Sequence, residues 1–203
     1  MLRVGLTGGI ATGKSTVSRL FVECGACLID ADVLAREAVA PGKPACREIA
    51  TAFGRDMLRA DGSVDRERLG AAVFADHAKR ARLEAIIHPQ VFAEEDRLFR
   101  EATAADPHAV VLFDAALLIE TGVHKRKDRV IVVTADEQTQ LRRLMERNKL
   151  PEEEVRKRIR SQMPLADKVK LADYVIDGTL PMEQLRAEVR RIYGELKRQA
   201  QER

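Results

Sequence analysis

Gly8-Gly9-Ile10-Ala11-Thr12-Gly13-Lys14-Ser15 is a complete G-x-x-x-x-G-K-S/T pattern, and its surroundings decide the fold. Before it, Leu2, Val4 and Leu6 alternate with Arg3 and Gly5, the period of a strand. After it, Val17, Leu20 and Phe21 recur at helical spacing within residues 14–23. Strand, glycine loop and helix in that order form a phosphate loop. Successive backbone N–H groups turn inward around a phosphate, and the helix N-terminus adds partial positive charge. Residues Gly8, Gly9, Ile10, Ala11, Thr12 and Gly13 then cradle the phosphates, with Lys14, Ser15 and Thr16 continuing the site into the helix. Lys14 reaches the β- and γ-phosphates, and the Ser15 hydroxyl ligates Mg²⁺.

Working outward, residues 27–29 form a short apolar run ending in Asp30-Ala31-Asp32, and Val33, Leu34 and Val39 suggest a further helix. Later runs at residues 110–113, 130–133 and 174–176 are short, apolar and bounded by charge, as strands buried on both faces of a parallel sheet would be. Strands alternating with helices predict an α/β three-layer fold with a parallel five-stranded sheet. About seventy residues between Val39 and Ala109 show no strand pattern, too many for a structureless loop, so they are expected to form helices of their own. One of these is expected to start at Pro89. A second excursion from about Asn148 to Lys170 opens with Pro151 and three glutamates, a favourable arrangement for a short exposed helix. Leu185, Val189, Ile192 and Leu196 share one stripe of a final packing helix. The expected division is a core of about 1–40, 108–147 and 171–203, a helical acceptor-binding subdomain of about 41–107, and a lid of about 148–170.

Composition narrows the function classes. The 203 residues carry 35 Lys and Arg against 32 Asp and Glu, a net charge of +3, with 4% aromatics and no Trp. Neither a dense basic block nor a base-stacking platform is present, so no nucleic-acid partner is expected. No apolar run approaches the roughly 20 residues of a membrane span, and the N-terminus runs straight into the glycine loop, leaving no signal-peptide core. Three cysteines fit a reducing compartment, and a cytoplasmic location follows by default. Cys24-Gly25-Ala26-Cys27 has helix before it and strand after it, the reverse of a redox C-x-x-C, and is read as small apolar side chains at a turn.

A phosphate loop implies a nucleotide but no particular reaction. The guanine-specific switch motifs are missing: no glycine follows an Asp by three residues, and Asn148-Lys149 continues as Leu150-Pro151. A small-molecule kinase is therefore the leading class. Asp30 and Asp32 stand at the carboxyl end of a sheet strand, where ligands bind in open α/β folds. One of them is expected to cap the following helix while the other serves the chemistry. Asp114 either sits near Mg²⁺ or caps the next turn. Between Arg142 and Lys170, ten basic residues face five acidic ones, as a lid that neutralises phosphoryl charge requires. Arg143 and Arg147, one helical turn apart, lie nearest the phosphates, and most of the others read as a solvated face.

The whole pattern resembles the bacterial dephospho-coenzyme A kinases. The likeness rests on Thr7 through Thr16, Ile29-Asp30-Ala31-Asp32, Asp65-Arg66 with Leu69 and Phe74, His88-Pro89, Asp114 through Glu120, Gln140 through Arg147, Gln162 and Ala172 through Asp177. The resemblance implies ATP-dependent phosphorylation of the ribose 3′-hydroxyl of dephospho-coenzyme A, with ATP and Mg²⁺ as cofactors. It implies Asp32 as the base, with Lys14 and Arg143 stabilising charge. It also places Arg147 and Asp177 by the ATP, Asp65, Arg66, His88 and Leu117 in the acceptor site together with Asp32, and Asp114 with Ser15 at the metal. The expected partner is dephospho-coenzyme A alone, with no membrane partner, the chain acting as a monomer or weak homo-oligomer. Another phosphate-loop kinase, acting on a nucleoside or nucleoside monophosphate, is the alternative. Three positions depart from the family pattern: Thr12 for the usual Ser, Ala116 for Pro, and Gly178 for Asn. The last falls in the segment that the resemblance sets beside the adenine pocket, where it bears on contacts to the ATP base.

Overall fold

Leu2, Val4 and Leu6 are fully buried, and the strand they define lies at the centre of a five-stranded sheet of order β2-β3-β1-β4-β5. The strands are β1 (Leu2–Gly8), β2 (Cys27–Asp30), β3 (Val110–Asp114), β4 (Arg129–Thr134) and β5 (Tyr174–Asp177). The structure is a computed structural model and describes residues 1–74 and 76–203; the side chains of Phe74, part of the resemblance above, and of His77 lie outside the described residues. β1 runs parallel to β3 and to β4, in registers that set Leu6 beside Asp114 and Gly8 beside Val133, and β4 runs parallel to β5. The carboxyl ends of β1 and β3 thus reach the same edge of the sheet, the edge at which open α/β sheets bind ligands.

The helices are α1 (Lys14–Glu23), α2 (Ala31–Ala38), α3 (Pro44–Phe53), α4 (Arg66–Phe74), α5 (His77–Ala105), α6 (Glu137–Asn148), α7 (Glu152–Arg160), α8 (Leu165–Val169) and α9 (Met182–Gln201). Together with the sheet they make the three-layer α/β fold expected from the sequence.

The chain divides into two compact units. The first comprises Met1–Ile29 and Glu101–Arg203. Its core joins β1, β3 and β4 to the apolar faces of α1 and α9, with Val17, Phe21, Val189, Ile192 and Leu196 all fully buried. Each such side chain contributes about 1.5–3 kcal/mol by leaving water. The expected stripe Leu185, Val189, Ile192 and Leu196 is the buried face of α9. Burial on both faces holds for the three inner strands only. In β5 Ile176 is buried and Val175 is exposed, and in β2 Leu28 is exposed, because an edge strand has a neighbour on one side only.

The second unit is Asp30–Arg100, and its core gathers Val39, just past the end of α2, with Ala45, Cys46 and Ile49 of α3, Val64 of the loop and Leu69 of α4. Among the described residues its regular structure is helical apart from one antiparallel bridge between Leu58 and Val64. The helix expected to begin at Pro89 instead begins at His77 and passes through Pro89. Proline removes one N–H, but its fixed φ is compatible with a helix, so the cost falls on a single turn of a 29-residue element.

Candidate active site

Between β1 and α1 the loop closes on itself. The Thr12 N–H and hydroxyl both donate to the Gly9 carbonyl, at 3.3 and 2.9 Å. Gly13, at the N-cap of α1, has φ 96°, a left-handed conformation that favours glycine. No side chain caps α1, so its first-turn N–H groups have no side-chain partner, and those not bonded to the Gly13 carbonyl are available to an anion. Ala11 also has a positive φ, 59°, a strain of order 1–3 kcal/mol for a residue with a Cβ.

Several side chains brace the loop. Arg143 on α6 donates to the carbonyls of Ala11 and Gly178, at 3.3 and 3.0 Å. The Gln162 side-chain oxygen accepts the Ile10 N–H at 2.8 Å. Lys14, in the first turn of α1, forms an ion pair with Asp114 at the end of β3, where the carboxylate is almost buried. Ser15 lies beside Lys14 and is exposed. The loop residues, Lys14, Asp114 and Arg143 are therefore one cluster within the first unit.

Other expected site residues stand apart from it. Arg147, one turn beyond Arg143, is exposed and donates to the Asn148 side chain at 2.8 Å. The Asp177 carboxylate accepts the N–H and hydroxyl of Thr179, at 2.8 and 2.6 Å, and so shapes the turn after β5. Leu117 is exposed, as are Leu28, Val33 and Leu171, so its exposure alone does not mark a ligand contact.

In the second unit, Asp30 is the N-cap of α2: its Oδ1 accepts the N–H groups of Asp32 and Val33, at 2.8 and 3.1 Å. Asp32, exposed in the first turn, keeps its carboxylate out of that cap. Asp65 accepts the Arg68 N–H at 3.1 Å at the start of α4. That hydrogen bond, helped by the Arg59 and Arg68 guanidiniums, holds its carboxyl below the usual carboxylate range. Arg66 opens α4 and is exposed, and His88 packs its ring against Phe92 with centroids 5.4 Å apart. A cleft of about 630 Å³ in this unit is lined by Arg47, Arg55 and Arg59 with Cys46, Thr51 and Leu58. Three guanidiniums around one cleft suit an anionic ligand.

Sequence reasoning misses two positions in this region. Lys168, one of the charges of residues 142–170 expected to be solvated, is completely buried. Gly178, expected to bear only on contacts to the ATP base, is packed under the phosphate loop: a Cβ there would stand 1.9 Å from the Thr12 carbonyl oxygen. Gln162 is legible only as part of the resemblance, with no role attached.

The family model described as dephospho-CoA kinase matches residues 2–182. A dephospho-CoA kinase of Streptomyces avermitilis is 47% identical over 97% of this chain and 94% of its own length. Among solved structures, one from Thermus thermophilus has a TM-score of 0.79 at 33% identity, over 95% of this chain and 96% of that one. The dephospho-CoA kinase of Campylobacter jejuni has a TM-score of 0.58 at 26% identity, over 95% and 96%.

Proposed function

The chain belongs to the dephospho-CoA kinase family, and from that premise we propose how its residues divide the work. The enzyme transfers the γ-phosphoryl group of ATP to the ribose 3′-hydroxyl of dephospho-CoA, giving CoA and ADP. The hydroxyl oxygen forms a bond to the γ-phosphorus as the bond from that phosphorus to the β–γ bridging oxygen breaks. Asp32 takes the hydroxyl proton, since Asp30 supplies the cap that would otherwise occupy an aspartate there. Lys14 and the loop and first-turn amides not engaged by Gln162, Gly9 or Gly13 hold the β- and γ-phosphates, and Arg143 and Arg147 offset the charge that develops on the transferring group.

The donors at Ser15 and Asp114 are both oxygens and fit Mg²⁺, a hard cation that keeps oxygen ligands. When bound there, Mg²⁺ neutralises phosphate charge. Asp177 borders the ATP site. Acceptor contacts are assigned to Asp65, Arg66 and His88 of the helical unit, whose arginine-lined cleft is available to the acceptor's phosphates, and to Leu117 of the first unit. Residues 148–170 are assigned to the lid with their far end anchored: Lys168 in α8 is buried against Gly8, Ala116 and Glu120, so the part that moves lies before α8. Among the described residues no helix is long and apolar enough to cross a membrane. The protein works in the cytoplasm as a monomer or weak homo-oligomer, with its three cysteines as thiols.

The observation that carries this reading is the phosphate loop set at an uncapped helix N-terminus with Lys14 beside it. An acceptor screen with ATP and Mg²⁺ tests it. Dephospho-CoA should be phosphorylated, and faster turnover of cytidine, CMP or UMP would overturn the assignment.

A further inference from the structure

The side chain of Lys168, in α8, is wholly out of solvent beneath the phosphate loop. Its ammonium has three acceptors: the Glu120 carboxylate at 2.8 Å, the Ala116 carbonyl at 3.0 Å and the Gly8 carbonyl at 3.4 Å. Three N–H donors meet three oxygens, so the ammonium is fully satisfied. Burying such a charge carries a large desolvation cost that its partners must offset, and an apolar side chain of the same volume often stabilises a fold as well or better. Packing alone therefore gives no reason for a lysine here.

The two carbonyls supply one. Gly8 ends β1 and begins the phosphate loop, and Ala116 follows shortly after Asp114, which ends β3. Lys14 and Asp114, paired above, ride on these two backbones. The Thr7 hydroxyl donates to the same Ala116 carbonyl at 3.0 Å. The backbones that carry Lys14 and Asp114 are thus joined from below by one ammonium and one hydroxyl. We propose that Lys168 is a positioning residue for phosphoryl transfer, fixing the separation of the phosphate loop from the end of β3 and so the alignment of Lys14 and Asp114 about the phosphates. The proposal rests on the kinase reading above for its kinetic readout, and on ATP binding independently of it.

The test compares wild type with Lys168→Met, with Lys168→Met combined with Glu120→Gln, and with Thr7→Val. Steady-state kinetics on ATP and dephospho-CoA are measured beside thermal unfolding. Lys168→Met alone strands the Glu120 carboxylate and should lower both the melting temperature and kcat. The double variant removes the stranded charge, while the amide oxygen it places at position 120 still accepts the Met163 N–H that Glu120 holds at 3.2 Å. It should regain most of the melting temperature yet keep a loss of about ten-fold in kcat/KM for ATP, with KM for dephospho-CoA within about two-fold of wild type. A double variant as stable and as active as wild type overturns the proposal. If neither lysine variant folds, the isosteric Thr7→Val decides: a loss of about three-fold in the same direction supports the brace, and wild-type kinetics overturn it. A wild-type enzyme inert on dephospho-CoA would instead refute the assigned reaction. ATP dissociation constants would then still decide the brace, with about ten-fold weaker binding in the double variant expected and unchanged binding overturning it.

Discussion

The Arg143 guanidinium bonds the Ala11 carbonyl with one nitrogen and the Gly178 carbonyl with the other, so a single side chain ties the phosphate loop to the turn after β5. Both acceptors are neutral. A phosphate oxygen adds an opposite charge and can be gripped by two parallel N–H groups of the guanidinium, so the arginine is placed to exchange a carbonyl for a nucleotide. Arg143→Ala should lower kcat by about 10³-fold or more, the lower end of what an arginine contributes to phosphoryl transfer. The side chain is only half-buried, so the unfolding midpoint should move little. Stopped-flow phosphoryl transfer and denaturant unfolding measure the two, and a variant within a few-fold of wild-type kcat would remove Arg143 from the chemistry.

Asp30 and Asp32 separate cleanly by role. Asp30→Ala should cost about 1 kcal/mol of stability through loss of the α2 cap, while Asp30→Asn, which caps as well, should cost little. Asp32→Asn keeps the shape and removes the proton acceptor. It should lower kcat by about 10²- to 10⁴-fold and leave ATP affinity within a few-fold. Near-normal turnover in Asp32→Asn would move the base role to another carboxylate.

Gly178 has no room for a side chain. Gly178→Ala must displace the Thr12 carbonyl, which is backbone and cannot swing away. The cost should be about 1–3 kcal/mol in stability, as for other overpacking substitutions, with a raised KM for ATP. Calorimetry together with ATP titration checks this. Normal ATP binding in a stable variant would show that the loop yields at Thr12.

At the start of α6, which carries Arg143, Asp136 receives the Thr139 hydroxyl and N–H at 2.7 and 2.8 Å, and these bonds hold its carboxyl below the usual range. A depressed folded-state pKa gives stability that is present above the ordinary value of 3.8 and is lost as pH falls through the folded value. The difference in unfolding free energy between wild type and Asp136→Ala should thus be constant above about pH 5 and shrink in more acidic buffer. A difference that stays constant through the acid range would refute the cap as the titrating element.

Much of this is legible in residues 2–16, because strand period, glycine spacing and helix period are local properties of the chain and agree with one another there. Asp30 and Asp32 are legible as a pair, since an aspartate before a helix has few alternatives, but the division of roles needs the positions of two N–H groups. Lys168 is not legible. Its neighbours Asp167 and Lys170 are exposed and ion-paired to each other, so its composition resembles theirs, and burial arises from distant contacts at Gly8, Ala116 and Glu120. Gly178 escapes for the same reason: nothing near it in sequence announces the Thr12 carbonyl. Pro89 misleads because a local breaker is outweighed by the length of α5 on either side of it.

The two outermost strands, β2 and β5, have four residues each. A second molecule arriving side-on would find a ladder only a few bonds long, too little to repay the freedom lost on joining it. Brevity at the rims thus protects a five-stranded parallel sheet from growing into its neighbours at high concentration, with no residue of the catalytic edge given over to the task.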